Sequence, residues 1–112
     1  MSHQAVREFF EALPSRFHAD AAEGVTAVYQ FNLSGDHGGQ YQLHVADQAC
    51  RVSSGVHPSP NVTLAMAGED CMAVLEGRLS GVSAYLSGRL RVDGDIGLAM
   101  RLAAFFPDLR PK

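Results

Sequence analysis

The sequence has no apolar run approaching the roughly 20 residues that a membrane-spanning helix needs, which excludes a transmembrane helix. Residues Met1 to Glu8 hold no basic stretch followed by an apolar one, so no secretory leader is expected. The closing Arg110-Pro111-Lys112 carries no retention, prenylation or Ser-Lys-Leu-type address, and a cytoplasmic location is the expectation. Cysteine is scarce. Cys50 and Cys71 lack C-x-x-C spacing and read as free thiols in a reducing compartment, each packing as a small hydrophobe. Lysine is nearly absent, since eight of the nine basic residues are arginine. Basic charge does not predominate either. A net charge of −3 speaks against a dedicated nucleic-acid binder, so no nucleic-acid partner is expected. The charge is uneven: residues 1–75 hold three basic and eight acidic side chains, net −5, and residues 76–112 hold six and four, net +2. A mildly basic C-terminal third reads as ordinary surface composition ahead of a preference for anionic head groups.

Catalytic signatures are also missing. There is no Gly-x-Ser-x-Gly elbow and no P-loop. Gly35, Gly38 and Gly39 do not sit between a strand and a helix, so they make no dinucleotide fingerprint. The histidines, His3, His18, His37, His44 and His57, show neither i, i+4 spacing nor clustering with cysteine, so no metal is expected. His44 falls on the polar face of a strand and reads as an exposed imidazole. Asp36-His37 lies in a glycine-rich turn and reads as plain turn chemistry rather than a dyad. Asp95 is better used as a helix cap than as the acid–base partner of Asp93. Cys71 falls in a helix first turn, a place that can lower a thiol pKa, but reads as a buried inert thiol. No enzyme activity and no cofactor are expected.

What the sequence has is length and apolar content for one core. Its 112 residues are 46% hydrophobic and 19% charged, a globular composition that makes residues 1–112 one domain. Val6, Phe9, Phe10 and Leu13 fall at helical spacing behind Ser2 as candidate N-cap, and Pro14 is expected to end that helix or begin another turn. Val25, Ala27, Tyr29, Phe31 and Leu33 alternate with mostly polar residues, Val28 excepted. After the glycine-rich turn, Tyr41, Leu43 and Val45 alternate in the same way, giving an antiparallel hairpin with one buried face. Ala46-Asp47-Gln48 reads as a second turn. Cys50, Val52 and Ser54 form a weaker third strand at an edge, and Val62, Leu64 and Met66 a fourth. Glu69 and Asp70 suit a helix first turn, with Gly77 as its C-terminal cap. Ser80 caps a short helix that Gly88 stops. Leu90 and Val92 mark a fifth strand, and Asp95 caps a last helix, Ile96 to Phe106, which Pro107 ends.

The order α-βββ-β-αα-β-α predicts an α+β domain: a five-stranded sheet with helices covering one face, toward which Tyr29, Phe31, Leu64 and Leu90 project. The crossover from strand four to strand five is expected to be right-handed if those strands are parallel neighbours. The last helix is apolar nearly all round, from Ile96 through Leu98, Met100 and Leu102 to Phe106, with little but Gly97 and Arg101 interrupting it. Such a helix carries more apolar surface than one sheet contact absorbs. An apolar cavity between sheet and helices, or a homodimer face, would take up the rest.

Three stretches then carry a family resemblance. One is Gly77-Arg78-Leu79-Ser80-Gly81, continuing through Ala84-Tyr85 and Gly88-Arg89-Leu90-Arg91-Val92 to Gly94-Asp95. The second is Val28-Tyr29-Gln30-Phe31-Asn32-Leu33 with Gly38-Gly39-Gln40-Tyr41. The third is Val62-Thr63-Leu64-Ala65-Met66 leading into Glu69-Asp70. Over roughly residues 5–107 the chain resembles the sterol carrier protein type 2 family. The resemblance implies a five-stranded mixed sheet, an apolar tunnel between sheet and helices, and a single lipid-binding domain with no side-chain catalyst. It implies a lipid partner: a fatty acid, acyl-CoA, phospholipid or prenyl lipid ahead of a sterol. Transient membrane contact follows from such a role.

The residues expected to line the lipid site are Phe17, Phe31, Leu64, Met66, Met72, Leu75, Tyr85, Leu90, Ile96, Met100, Ala103 and Phe106. Arg78, Arg89 or Arg91 would meet a head group. The alternative reading is a non-catalytic accessory or scaffold protein of a lipid-linked biosynthetic assembly, with the apolar C-terminal helix as its interface.

Overall fold

The computed structural model describes residues 2–35 and 38–106, with backbone alone for residues 2–5 and 103. The Asp36-His37 turn and the stop at Pro107 lie outside the described residues. Helix α1 (Ser2–Arg16) precedes a 3-10 turn (Ala19–Ala22) and strands β1 (Ala27–Ser34), β2 (Gly39–Ala46), β3 (Ala49–Ser54) and β4 (Val62–Ala67). Helices α2 (Gly68–Leu75) and α3 (Gly81–Leu86), strand β5 (Arg91–Gly94), helix α4 (Ile96–Arg101) and a 3-10 turn (Leu102–Phe105) follow.

The strands form one mixed sheet in the order β3-β2-β1-β4-β5. The expected hairpin is present, with Phe31 opposite Tyr41 and Tyr29 opposite Leu43. Its neighbour β3 is an edge strand, as its weak pattern predicts. The turn between β2 and β3 places both Asp47 (φ 53°) and Gln48 (φ 60°) in the left-handed region, the backbone of a two-residue type I′ loop. The condition attached to the crossover expectation is not met. Strands β4 and β5 are antiparallel, and the parallel pair is β1 with β4. Sequence neighbours cannot reveal this, because β4 reaches β1 only after the chain has crossed the sheet from its far edge.

One face of the sheet is apolar. Phe31, Leu64 and Val92 lie in one cross-strand row, and Tyr29, Leu43 and Val62 in the next. Helix α1 lies over β2 and β3, α2 over β1 and β4, and α4 over β4 and β5, so the helices share that face. Val6, Phe10 and Leu13 of α1 are buried. Phe10 stacks on Tyr41 with ring centroids 4.4 Å apart and meets Phe31 edge-on at 5.1 Å. A second aromatic group, Phe17, Phe105 and Phe106, closes the other end, with Phe105 edge-on to Tyr29 at 6.1 Å. Pro14 sits inside α1 rather than ending it. It stands within three residues of the C-terminus, so its ring disturbs only the last turn.

Local signals set the other helix ends. The Ser83 amide donates to Ser80 Oγ at 3.3 Å, and the Leu98 amide to Asp95 Oδ1 at 3.1 Å. Gly77 (φ 81°) ends α2 with the Arg78 amide returning to the Ala73 carbonyl at 2.8 Å. The last helix is shorter than expected: it tightens to 3-10 geometry from Leu102, and the His18 amide donates to the Phe105 carbonyl at 2.7 Å.

The other face of the sheet is polar, and the link from β3 to β4 crosses it. Gln30 is buried there at 1% exposure. Its Nε2 donates to the Gly55 carbonyl at 3.0 Å and to Asn32 Oδ1 at 3.1 Å, and its Oε1 accepts from the His57 amide at 2.8 Å. His44 is half-buried rather than exposed, because the same link lays His57 beside it with ring centroids 5.6 Å apart. Burial, then Arg51 and His57, hold its imidazole below the usual histidine pKa.

A groove at the free edge of strand β5

Helix α3 and strand β5 are joined by a tight turn at Gly88 (φ 82°), where the amides of Arg89 and Leu90 both return to the Ala84 carbonyl. This turn buries Ala84 and Leu90 and leaves the rest of α3 standing beside the outer edge of β5. Between them runs an open groove of about 500 Å³ lined by Tyr85, Leu86, Gly88, Leu90, Arg91, Val92 and Asp93. That volume falls within the roughly 300–1,000 Å³ of small-ligand sites. Three consecutive residues of β5 line it although they alternate between sheet faces. The groove therefore follows the strand's unpaired edge.

The apolar surplus of the C-terminal part is not absorbed by the fold. Leu86 is 78% exposed and Met100 73%, and Val82, Tyr85 and Ile96 are exposed with them. In the last helix only Leu98 and Ala99 turn partly inward, and Leu102, Phe105 and Phe106 reach the core after it. The residues expected to line a lipid site divide accordingly. Phe31, Leu64, Met66, Leu75, Leu90 and Phe106 are buried in the core, and Phe17 and Met72 are half-buried against it. Tyr85, Ile96 and Met100 are exposed, and the side chain of Ala103 lies outside the described residues. The groove brings together only Tyr85 and Leu90 of that set. Sequence reasoning passed over Leu86 and Val92 as lining residues. Val82 and Leu86, four apart on one short helix, were the available signal.

The arginines differ in their partners. Arg78 Nε donates to Glu76 Oε1 at 2.9 Å, and Arg89 Nε stands 3.7 Å from Asp70 Oδ2. Arg91, in the groove wall, forms no ion pair among the described residues. Both thiols are held protonated by burial: Cys50 is pushed up to about 11, and Cys71, fully buried, is raised further. Neither offers a thiolate at neutral pH. Among the described residues no three His, Cys, Asp or Glu side chains gather into a metal-holding group, and no helix is long and apolar enough to cross a membrane.

Comparison with known proteins agrees with this architecture. The rat hydroxysteroid dehydrogenase-like protein 2 is 35% identical over 100 residues, 88% of this chain but 19% of that protein. The chain thus spans about a fifth of the length of that relative, and about a quarter of the zebrafish one, to which it is 30% identical over 108 residues. The crystal structure of sterol carrier protein 2 like 2 from Aedes aegypti superposes with a TM-score of 0.73 at 28% identity, covering 93% of this chain and 95% of that one. The solution structure of the palmitated form of the Aedes aegypti protein gives 0.71 at the same identity, covering 93% of each chain. The profile of the SCP-2 sterol transfer family matches residues 8–107, and this chain belongs to that family.

Proposed function

We propose that this domain binds a single-chain lipid of the fatty acyl class, non-catalytically, in an apolar site between the sheet and the helices that opens through the groove beside β5. The observation that carries the reading is the apolar surface left open on the helices that precede and follow β5 in the chain: Tyr85 and Leu86 of α3 and Ile96 and Met100 of α4 are exposed, and Val92 of β5 is half-buried. Water against such surface is unfavourable, and each methylene of a tail laid there contributes about 0.8 kcal/mol. Eight buried methylenes would contribute about 6 kcal/mol before the cost of immobilising the chain. The palmitated relative, 28% identical, supports the ligand class.

In this reading the tail enters over Val92 and Leu90. Its inner end reaches Met66 and Met72, whose unbranched side chains re-pack at low cost. Arg91, without an ion pair among the described residues, meets an anionic head group. Enzyme activity is not part of the proposal, and no activity of the longer relatives is carried over to a chain that covers about a fifth to a quarter of them.

Native mass spectrometry of protein purified without added lipid, then delipidated and titrated with a C16 fatty acid, tests the proposal. A one-to-one adduct, copurified or restored by titration, is expected. A chain that takes up no acyl adduct and runs as a stable complex with another protein would replace the carrier reading with the scaffold one.

A further inference from the structure

The link between β3 and β4, residues 55–61, is tied to the polar sheet face near its two ends. At the first end the Gly55 amide donates to the Gln40 carbonyl at 2.9 Å, and Gln30 holds the Gly55 carbonyl and the His57 amide. At the second, the Asn61 amide donates to the Val28 carbonyl at 2.9 Å, and Asn61 Oδ1 accepts from the Val28 amide at 2.8 Å. Between these ties lie Pro58, Ser59 and Pro60. Proline has no amide hydrogen, so Ser59 holds the one backbone donor of this stretch. It donates to His57 Nδ1 at 3.0 Å.

That bond fixes the state of the His57 ring. An Nδ1 that accepts from an amide carries no proton, so the ring is neutral with its hydrogen on Nε2. His44 packs against it with ring centroids 5.6 Å apart. Gln42 Nε2 donates to the Ser54 carbonyl at 3.4 Å, which leaves Gln42 Oε1 to accept from His44 Nε2 at 3.0 Å. His44 can therefore gain a proton at Nδ1 and keep its bond, whereas His57 cannot. The surroundings favour neither charge. Across the strands His44 faces Arg51 on β3 and Val28 on β1, and the link adds His57. Beneath His57, β1 presents uncharged Gln30. The ion pairs among the described residues are Arg7–Glu11, Arg78–Glu76 and Arg89–Asp70, and none includes a histidine. Burial, then Arg51 and His57, hold His44 in its neutral form while the link is closed.

From this arrangement we infer that His57, with His44 packed against it, is an acid-sensitive latch on the link between β3 and β4. At neutral pH the unprotonated His57 ring folds the Ser59 amide back onto itself. A proton on His57 Nδ1 sets one N–H against another, releases the Ser59 amide to water and places a cation beside His44 and Arg51. Residues 57–60 then leave the sheet between the fixed ends at Gly55 and Asn61. The closed arrangement binds fewer protons than the open one. It is therefore complete above the histidine range and lost as pH falls through it, from about 8 to about 5. The latch lies on the sheet face opposite the helices, so the apolar core stays packed while it opens.

The test is an NMR titration of the native chain from about pH 8 to about pH 5. At the alkaline end, imidazole nitrogen shifts should report a His57 ring with its proton on Nε2 alone. As that ring gains its second proton, the Ser59 amide should lose its hydrogen-bonded shift with the same midpoint. The amides of Tyr29 and Leu43, in the central strands, should hold theirs. In His57→Ala the Ser59 amide should show the released shift at every pH. A His57 ring protonated on Nδ1 at neutral pH would overturn the inference. So would a Ser59 amide that ignores the ring's titration, or one whose change persists in His57→Ala. A simultaneous change at Tyr29 and Leu43 would replace the local latch with unfolding of the whole sheet.

Discussion

The Tyr29 hydroxyl donates to the Leu98 carbonyl oxygen at 2.9 Å and joins the centre of the sheet to helix α4. Tyr29 is fully buried, and its ring meets Phe105 edge-on, so the residue anchors both halves of the C-terminal segment. Tyr29→Phe keeps the ring and deletes the bond. It should cost about 0.5–1.5 kcal/mol in urea unfolding and speed amide exchange in α4 before that of the strands. An unchanged midpoint with unchanged exchange would show that the bond holds nothing.

The same hydroxyl makes stability depend on alkaline pH. Burial, with Asp95 adding and Arg101 opposing, pushes the Tyr29 pKa up to about 12. Unfolded tyrosine ionises near 10, so between about 10 and 12 the unfolded chain has lost a proton that the folded chain retains. The stabilisation is complete below pH 10 and is lost as pH rises toward 12. Urea midpoints across that window should fall for the native chain, and less steeply for Tyr29→Phe.

Gly94 has φ 103°, and a Cβ placed there would stand 2.5 Å from the Asn61 carbonyl oxygen and 3.0 Å from Val62 Cα. Both are backbone atoms of the neighbouring strand entry and cannot swing away. The Asp95 amide also donates to that Asn61 carbonyl at 3.0 Å. Gly94→Ala should therefore cost at least about 2 kcal/mol and detach β5 first, which thermal unfolding and exchange of the β5 amides would report.

Gln30 holds the link between β3 and β4 against the polar sheet face through bonds to Gly55 and His57. Gln30→Leu fills the same space but leaves the His57 amide and Gly55 carbonyl unpaired. A loss of about 1–3 kcal/mol is expected, read from the urea midpoint. A neutral outcome would mean that water replaces the side chain.

Much of the fold was written locally. The caps at Ser80 and Asp95, the glycines at 77 and 88, and the period-2 runs around Tyr29, Tyr41 and Leu64 act over a few residues, and each forms where its chemistry puts it. Non-local pairing was not legible. Nothing in β4 announces that it lies parallel to β1, and nothing near Gln30 announces the link that buries it. The apolar excess of the last helix was visible, but its split was not: Ile96 and Met100 face out while Phe105 and Phe106 close the core, because the helix tightens at Leu102. The groove itself was half legible, through Tyr85 and Leu90. Leu86 and Val92 join it only because the Gly88 turn folds α3 back onto the edge of β5.

The central claim, an acyl chain that enters through the groove beside β5 into a site between sheet and helices, is tested most directly by titrating a fluorescent fatty acid into the native chain and into Val92→Trp. Val92 lines the groove at a half-buried position, and an indole there would take up groove volume. The account predicts saturable one-to-one binding by the native chain and an affinity lowered at least about tenfold in Val92→Trp, as expected when the ring displaces two or more methylenes worth about 0.8 kcal/mol each. Absence of saturable binding by the native chain, or equal affinity in a folded Val92→Trp, would contradict it.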